Sequence, residues 1–332
     1  MRALRVTGTE GLSSLALDEI APPGEPGEGE VLIDVAAGAL NFADLLMLQG
    51  RYQEMPAPPF TAGLELSGVV AAVGPKVDGV FVGDRVAAHA GHGAFAERAI
   101  VKDHACLNLP PDRDLATAAA LPVAFGTAHV ALTHRARLRA GELLLVTGAG
   151  GGVGLAAVAL GRALGATVIA AASGPEKLAV AERYGAAFTI DYEREDLRAR
   201  VKAIAADHGR TGCDVLFDPV GGALFETAMR CVGFEARLIV IGFAAGDIQK
   251  IPANLLLVKN IDVVGFYWGA YAARDPNIHR ESFRALHGVI EADGLSPHIG
   301  ARFPLAEAAE GYRLLESRQA AGKILIDIAD IR

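Results

Sequence analysis

The sequence predicts an α/β protein of two domains, one mainly antiparallel and one built around a doubly wound parallel sheet. Its 332 residues are enough for two domains of ordinary size. Before about residue 125, short segments rich in Val are separated by Gly and Pro turns, which is typical of a compact antiparallel β domain. After residue 140, apolar strands alternate with helical segments, which predicts parallel βαβ units.

In the first domain, predicted here as residues 1–124, four segments have strand character and one has helical character. Apolar residues recur at helical spacing from Phe42 to Leu48, so "NFADLLMLQG" is predicted as a helix. The predicted strands lie in "GEVLIDVAAGAL", "LSGVVAAVG", "GDRVAAHAG" and "GAFAERAIV".

The second domain is predicted as residues 125–268, with six strands separated by helices. One helix runs from Val153 to Leu164, and the next begins at Pro175, since proline suits the first turn of a helix. The strands lie in "LLLVTG", "TVIAAAS", "AAFTI", "DVLFD", "RLIVIGF" and "DVVGFYW". Residues 269–332 contain two helical segments, "FRALHGVIEADGL" and "LAEAAEGYRLLESRQ", and a closing strand, "GKILIDI". We expect them to return to the first domain.

Charge and cysteine content exclude several classes of protein. The formal net charge of -8 argues against a broad nucleic-acid surface. Three isolated cysteines, Cys106, Cys213 and Cys231, indicate neither a disulfide framework nor a paired-cysteine zinc site. The opening "MRALRVTGTE" lacks the apolar core of a signal peptide. We therefore expect a cytoplasmic protein that binds neither nucleic acid nor membranes.

The segment "TGAGGGVGLAAVAL" follows a predicted strand and opens a predicted helix, which is the context of a dinucleotide-binding turn. Its best register is Ala149-x-Gly151-x-x-Gly154, with alanine at the first glycine position. Gly151 and Gly152 would let the backbone approach a pyrophosphate, and Gly154 would let the helix pack on its strand. The N–H groups at the helix start favour phosphates. The alternative is a glycine-rich turn that binds nothing.

The end of the second strand bears on the choice between NADH and NADPH. An acidic residue there would bind the ribose 2′-hydroxyl of NADH. The strand ends in "IAAASGPEK", where Glu176 already belongs to the next helix, and Ser173 and Lys177 offer a hydrogen bond and a positive charge to a phosphate. The pattern predicts NADPH over NADH. Lys177 as an ordinary surface lysine is the alternative.

Together these features resemble the medium-chain dehydrogenase/reductase superfamily, and within it the zinc-independent NADPH:quinone oxidoreductases related to ζ-crystallin. The resemblance covers nearly the whole chain. It is carried in order by "NFADLLMLQGRY", "PFTAGLELSGVV", "VGDRVA", "GAFAERAIV", "LPVAFGTAHVAL", "GAGGGVGLAAVALGRALGATVIA", "CDVLFDPVGG", "IPANLLLVKNIDVVGFYWG" and "GKILIDI". It implies a GroES-like, mainly antiparallel β catalytic domain made from both chain ends, an inserted Rossmann domain, and a cofactor in the cleft between them.

The resemblance also implies a set of cofactor-binding residues. Asn41 and Thr127 would lie near the nicotinamide, and Arg318 would be a further contact. Main-chain groups of Gly265, Phe266 and Tyr267 would approach the carboxamide. Gly242 and Phe243 would flank a ribose. The phosphates and the adenosine end would be held by Gly151, Gly152, Val153, Ser173, Lys177 and Tyr192, the last of which is otherwise interpreted as a plain loop aromatic.

Zinc members of the superfamily supply a cysteine from a C-x-x-D stretch and a histidine from a G-H-E stretch. Here "NFAD" places Asn41 at the cysteine position, and Leu64 replaces the histidine before Glu65. A catalytic zinc needs about three protein ligands, so no metal is expected. Glu65 is expected to be structural rather than catalytic, paired with a nearby donor such as an arginine or a backbone N–H. We interpret His89, His92 and His104 as loop and strand residues.

Without a metal, a quinone or an α,β-unsaturated carbonyl is the more suitable hydride acceptor, because hydrogen-bond donors then suffice. Asn41 and Tyr52 are the catalytic candidates. Asn41 would donate to the acceptor oxygen or hold the cofactor ribose; its alternative role is a helix N-cap. Tyr52 would donate a hydrogen bond or wall the pocket. Aromatic lining or core packing is expected of Phe243, Phe266 and Trp268. No general acid is evident, so solvent would supply the proton.

The first functional hypothesis is an NADPH-dependent quinone reductase. The second is a reductase of enones, alkenals or enoyl thioesters, which needs the same hydride geometry. The third is an NADPH-binding protein of structural or regulatory role. Members of the group pair through the edge of the Rossmann sheet, so the apolar "NIDVVGFYW" strand predicts a homodimer, or a tetramer.

Overall fold

The computed structural model describes residues 1–331, which divide into two compact units. One unit comprises Met1–Gly126 together with the chain from Gly269 onward, and the other comprises Thr127–Trp268. Among the described residues, no helix is both long and apolar enough to cross a membrane.

In the part of the chain that the structure describes, the first unit has ten strands in two sheets. Their bounds are β1 Arg2–Val6, β2 Leu15–Glu19, β3 Glu30–Leu40, β4 Phe60–Thr61, β5 Glu65–Val73, β6 Arg85–His89, β7 Arg98–Lys102, β8 Cys106–Asn108, β15 Ile299–Pro304 and β16 Lys323–Asp327. The smaller sheet has the order β2-β1-β4. The larger has the order β15-β16-β3-β5-β6-β8, with β7 also on β3, and only β15 and β16 are parallel. The predicted mainly antiparallel sheet is confirmed.

Register in the larger sheet brings three strand ends together. Ile324 of β16 lies opposite Leu40 at the end of β3, and Leu66 of β5 lies opposite Gly38. Residues at the end of β3 and at the starts of β5 and β16 are therefore neighbours, although they are far apart along the chain.

The helices of this unit flank the sheets. They are α1 Phe42–Leu48, α2 Leu115–Ala118, α3 Pro122–Val130 (which continues into the second unit), α9 Ala270–Arg274, α10 Pro276–Asp293 and α11 Ala308–Glu316. The helix expected in "NFADLLMLQG" is α1. The helix expected from Phe283 begins earlier, because Pro276 occupies the first turn of α10, a position where its missing N–H costs nothing.

The second unit contains one parallel sheet of six strands, which confirms the predicted doubly wound arrangement. The strand order is β11-β10-β9-β12-β13-β14. Strands are therefore added on one side of β9 up to β11 and on the other side from β12, so the strand order reverses between β9 and β12. The strands are β9 Leu143–Thr147, β10 Thr167–Ala172, β11 Phe188–Asp191, β12 Cys213–Asp218, β13 Val232–Val240 and β14 Asp262–Gly265. The helices are α4 Gly152–Ala163, α5 Pro175–Arg183, α6 Leu197–Asp207, α7 Gly222–Ala228 and α8 Ala253–Lys259.

Candidate active site

Most of the predicted cofactor residues lie at one edge of the six-stranded sheet. Because all six strands are parallel, their carboxyl ends share an edge, and ligands of such sheets bind there. Residues directly at or after these strand ends are Gly151, Gly152 and Val153 after β9, Ser173 after β10, Tyr192 after β11, Gly242 and Phe243 after β13, and Gly265, Phe266 and Tyr267 at β14.

The turn between β9 and α4 depends on glycines for steric reasons. Gly148 has a φ of +57°, and a Cβ there would lie 2.7 Å from Val220 Cγ2. A Cβ on Gly154 would lie 2.3 Å from the Gly148 carbonyl oxygen, so Gly154 lets the helix pack closely on the turn. The first N–H groups of α4 have no acceptor inside the helix and can bind an anion.

Asp218 is a structural residue of this edge that the sequence alone did not single out. It ends β12 and is buried, where it accepts hydrogen bonds from the Thr147 hydroxyl and, at 2.8 Å, from the Gly221 N–H. Burial raises the pKa of its carboxyl, and the bond from Thr147 opposes that rise. Asp218 therefore joins the ends of β9 and β12 at the point where the strand order reverses. Its only sequence signal is the turn "DPVGG" after an apolar strand.

Lys177 extends across the glycine turn. A Cβ on Gly150 would lie 2.5 Å from Lys177 Cβ, so the lysine stem occupies the space that a side chain at position 150 would take. Ser173 follows the last residue of β10, and no acidic residue stands between that strand and Pro175. Ser173 thus supplies a hydroxyl directly after β10, and Lys177 contacts the turn through its stem; hydroxyl and ammonium groups both suit a phosphate.

The other residues predicted to bind the cofactor occupy different kinds of position in the fold. Tyr192 packs against the apolar core of the second unit, in keeping with its alternative as a plain aromatic. The Gly265 carbonyl accepts a hydrogen bond from Arg135 Nη2 at 3.1 Å. Thr127 is buried in α3 rather than at a strand end. Arg318 is exposed after α11 in the first unit.

In the first unit, Glu65 lies in a fully satisfied polar cluster with Asn41 and Lys323. Glu65 is 0% exposed, and its Oε1 accepts from Lys323 Nζ at 2.7 Å and from Asn41 Nδ2 at 2.9 Å. Its Oε2 accepts from the Val123 N–H at 2.8 Å. A backbone N–H is thus among the donors, as expected, and the cationic partner is Lys323. Lys323 opens the segment "GKILIDI", and only the strand register brings it to Glu65.

Asn41 occupies the N-cap position of α1, in a capping-box arrangement with Asp44, but its side chain makes no direct hydrogen bond to the helix N–H groups. Instead its amide contacts Glu65 and the Ala39 carbonyl, and its Oδ1 accepts from Lys323 Nζ at 2.5 Å. Asp44, three residues on, accepts the Asn41 backbone N–H at 2.8 Å. Asp44 is buried, and its burial raises the pKa of the carboxyl to about 7.

Tyr52 and the histidines complete the predicted set. Tyr52 is half-buried and packs against the core of the first unit. His89 ends β6, and burial lowers its pKa to about 3. The ring of His92 faces Phe60, and that of His104 lies 6.5 Å from His279. Within residues 1–331, no three His, Cys, Asp or Glu side chains converge as metal ligands.

These two units define an α/β protein that contains a doubly wound parallel sheet of the kind found in dinucleotide-binding folds. Two family models match the chain: one described as "Alcohol dehydrogenase GroES-like domain" over residues 27–111, and one described as "Zinc-binding dehydrogenase" over residues 152–286.

Comparison with individual proteins extends the match to nearly the full length. The chain is 39% identical over 321 residues to "Quinone oxidoreductase-like protein 2" of Mus musculus, covering 96% of this chain and 91% of that protein. It is 35% identical over 308 residues to "Quinone oxidoreductase" of Pseudomonas aeruginosa, covering 92% and 93%. The structure of the Thermus thermophilus quinone oxidoreductase, also solved with NADPH, has a TM-score of 0.85 at 36% identity and covers 99% and 100%.

This chain belongs to the quinone oxidoreductase family of medium-chain dehydrogenases/reductases. The resemblance found in the sequence is confirmed, as is the fold of a GroES-like domain with a Rossmann domain. The family is one of oxidoreductases.

Proposed function

We propose that this chain transfers hydride from NADPH to quinones and uses no metal ion. The observation that carries the proposal is the glycine turn at the carboxyl edge of the parallel sheet, crossed by the stem of Lys177. The full-length similarity to quinone oxidoreductases supports the same reaction class.

The residues at this edge fit a dinucleotide. Gly148 and Gly154 have no room for a Cβ, so no side chain at these two positions covers the backbone of the turn. The first N–H groups of α4 have no acceptor within the helix. Such a cradle binds a pyrophosphate through main-chain groups. We propose that Gly151, Gly152 and Val153 hold the phosphates, with the other edge residues named above along the rest of the cofactor.

NADPH is proposed over NADH because of the charges beside the turn. An acidic residue at the end of β10 would repel a 2′-phosphate, and that position is Ser173. Lys177 supplies the positive charge that a 2′-phosphate needs. The NADPH complex of the Thermus thermophilus relative supports this choice.

NADPH, when bound, supplies the hydride. The protein has to orient the acceptor and exclude competing reactions. A quinone takes up a hydride and one proton to become a hydroquinone, and we propose that solvent provides the proton. Asn41 and Tyr52 are proposed for the reacting end of the site, with Tyr52 as a hydrogen-bond donor or a wall of the pocket.

Metal independence is proposed because the ammonium group of Lys323 already neutralises the carboxylate of Glu65 in the first unit. Lys323 places an ammonium group 2.7 Å from Glu65 Oε1 and 2.5 Å from Asn41 Oδ1. A divalent cation on these oxygens would be repelled by that ammonium group at short range. Leu64, at the position of the histidine in zinc relatives, is buried among apolar side chains.

The test is NADPH oxidation by purified protein against quinones, alkenals and enoyl thioesters, with NADH as the control cofactor. Preferred turnover of quinones with NADPH, unchanged by a chelator, is expected. Preference for an enone or thioester would instead identify the second hypothesis. NADPH binding without turnover of any substrate would identify a structural or regulatory protein. Stoichiometric zinc with activity lost on chelation would overturn metal independence.

We also infer a homodimer. β14 is the last strand of its sheet, so among the described residues one side of it has no strand neighbour. Nearby in sequence, α8 exposes Leu257 and Val258 at 78% and 67%. Light scattering after gel filtration should give twice the 34.5 kDa chain mass. A monomer would contradict the inference, and a mass four times that of the chain would indicate the tetramer. A cytoplasmic location stays a prediction.

A further inference from the structure

We propose that Lys323 is a positioning residue, which fixes the side-chain amide of Asn41 so that Asn41 offers a ligand its carbonyl oxygen and not its NH₂ group. The inference concerns the proposed reductase site and, for its effect on turnover, rests on that function. Lys323 and Asn41 are far apart in the sequence, and no motif links them. Their contact arises from the pairing of β16 with β3.

The donors of Lys323 are fully used. An ammonium group has three N–H donors and no acceptor. Lys323 Nζ has three acceptors within reach: the Leu40 carbonyl at 2.7 Å, Asn41 Oδ1 at 2.5 Å and Glu65 Oε1 at 2.7 Å. Because the side chain is 5% exposed, water does not compete for these donors. The ammonium group is therefore held at one point by three acceptors.

This ammonium group determines which end of the Asn41 amide faces it. Only the oxygen can accept from Nζ, and a reversed amide would point NH₂ at an ammonium group. The NH₂ group then contacts Glu65 Oε1 at 2.9 Å and the Ala39 carbonyl at 3.2 Å. Both of its hydrogens have acceptors. Asn41 thus has no hydrogen left for a substrate oxygen, whereas Oδ1 keeps a second lone pair.

The main chain of Asn41 is fixed as well. Asp44 accepts its N–H at 2.8 Å and so anchors the residue at the start of α1. Of the two roles predicted for Asn41, the network favours holding a hydroxyl group, such as that of a ribose, over donating to the quinone oxygen.

The direct test is a nuclear magnetic resonance measurement of the Asn41 side-chain amide, assigned by its loss in Asn41→Ala. In the wild-type protein its hydrogens should exchange slowly with water. The double variant Lys323→Met with Glu65→Gln removes both charges and so leaves no unpaired ion. The Val123 N–H needs an oxygen at position 65, so the NH₂ of the new glutamine must face Asn41. The Asn41 amide should then reverse, with a new chemical shift and faster exchange.

Lys102→Met is the matched control, because Lys102 pairs with Glu30 at 3.0 Å in the same unit but at the surface. It should leave the Asn41 signals unchanged. Unchanged signals in the double variant as well would overturn the proposal. This measurement needs no substrate, so it stays informative even if the wild-type protein turns over no quinone and the proposed function fails.

The kinetic test asks whether Lys323 acts through Asn41. In the double variant kcat should fall about 10- to 100-fold because the cofactor is misoriented, and KM for NADPH should rise while KM for the quinone changes less. In an Asn41→Ala background the same two substitutions should change kcat by no more than about twofold. An equal loss of kcat in both backgrounds would mean that Lys323 serves stability only.

Discussion

The carboxyl edge of the six-stranded sheet and the buried cluster around Glu65 are built in different ways. The edge uses main-chain groups, and its glycines lie within seven consecutive residues, Gly148 to Gly154. The cluster uses side chains, and its central pair, Glu65 and Lys323, is separated by 258 positions along the chain. A local motif can therefore reveal the first, whereas only strand pairing creates the second. Variants that leave an unpaired charge in the cluster should therefore change stability, whereas variants of Gly151 and Lys177 at the edge should mainly change cofactor binding.

The largest effect is expected from breaking the Glu65–Lys323 pair. Lys323→Met leaves a carboxylate that is 0% exposed without its counterion, and this should lower the free energy of unfolding by about 3–5 kcal/mol. Adding Glu65→Gln should recover part of the loss, because no unpaired charge then stays buried. Urea denaturation of both variants measures the difference.

The exposed pair of Lys102 and Glu30 provides the comparison for this prediction. Their side chains are 51% and 30% exposed, so Lys102→Met should cost about 0–1 kcal/mol. If Lys323→Met were no more costly than Lys102→Met, the buried cluster would not stabilise the first unit in the way its geometry indicates.

Asp44 should make stability depend on pH with a defined sign. Its pKa is raised from 3.8 to about 7 in the folded protein, mainly by burial. Between pH 3.8 and about pH 7, the Asp44 carboxyl is ionised in the unfolded chain and protonated in the folded chain. The free energy of unfolding should therefore decrease as pH rises from about 4 to 7, by up to about 1.4 kcal/mol per pH unit.

Asp44→Asn removes this titration and keeps an oxygen for the Asn41 N–H. Urea denaturation from pH 4 to 7 measures the difference in unfolding free energy between wild type and variant. This difference should change by up to about 1.4 kcal/mol per pH unit and become constant above pH 7. A difference that is independent of pH would show that Asp44 is ionised in the folded protein.

Substitutions of Gly154 and Gly151 should have different effects, one on folding stability and the other on cofactor binding. A Cβ on Gly154 would lie 2.3 Å from the Gly148 oxygen, so Gly154→Ala should cost about 1–3 kcal/mol despite the better helix propensity of alanine. A Cβ on Gly151 meets the same oxygen at 3.5 Å, an ordinary contact. Gly151→Ala should keep the melting temperature and weaken NADPH binding. Thermal unfolding with and without NADPH distinguishes them; equal stability losses would contradict the assignment.

The difference between the two regions also explains what the sequence could predict. Strand and helix alternation after residue 140 was sufficient for the parallel sheet, and the glycine spacing was sufficient for the turn. A backbone N–H was among the donors expected for Glu65 and is present, but Lys323 was not predicted, because "GKILIDI" has the pattern of a strand and nothing local marks its lysine as a partner. Asp218 was missed for a similar reason: its role depends on Thr147 in a neighbouring strand.

The most selective effect is expected at Lys177. Its stem lies over the glycine turn, and its ammonium group is proposed to contact the 2′-phosphate that distinguishes NADPH from NADH. Lys177→Met keeps much of the stem and removes the charge, so NADPH affinity should fall about 10- to 100-fold, the value of a charge-assisted hydrogen bond, while NADH affinity changes little. Titration of both cofactors by calorimetry measures the two effects. Equal losses for NADPH and NADH would mean that Lys177 supports the turn and does not select the phosphate.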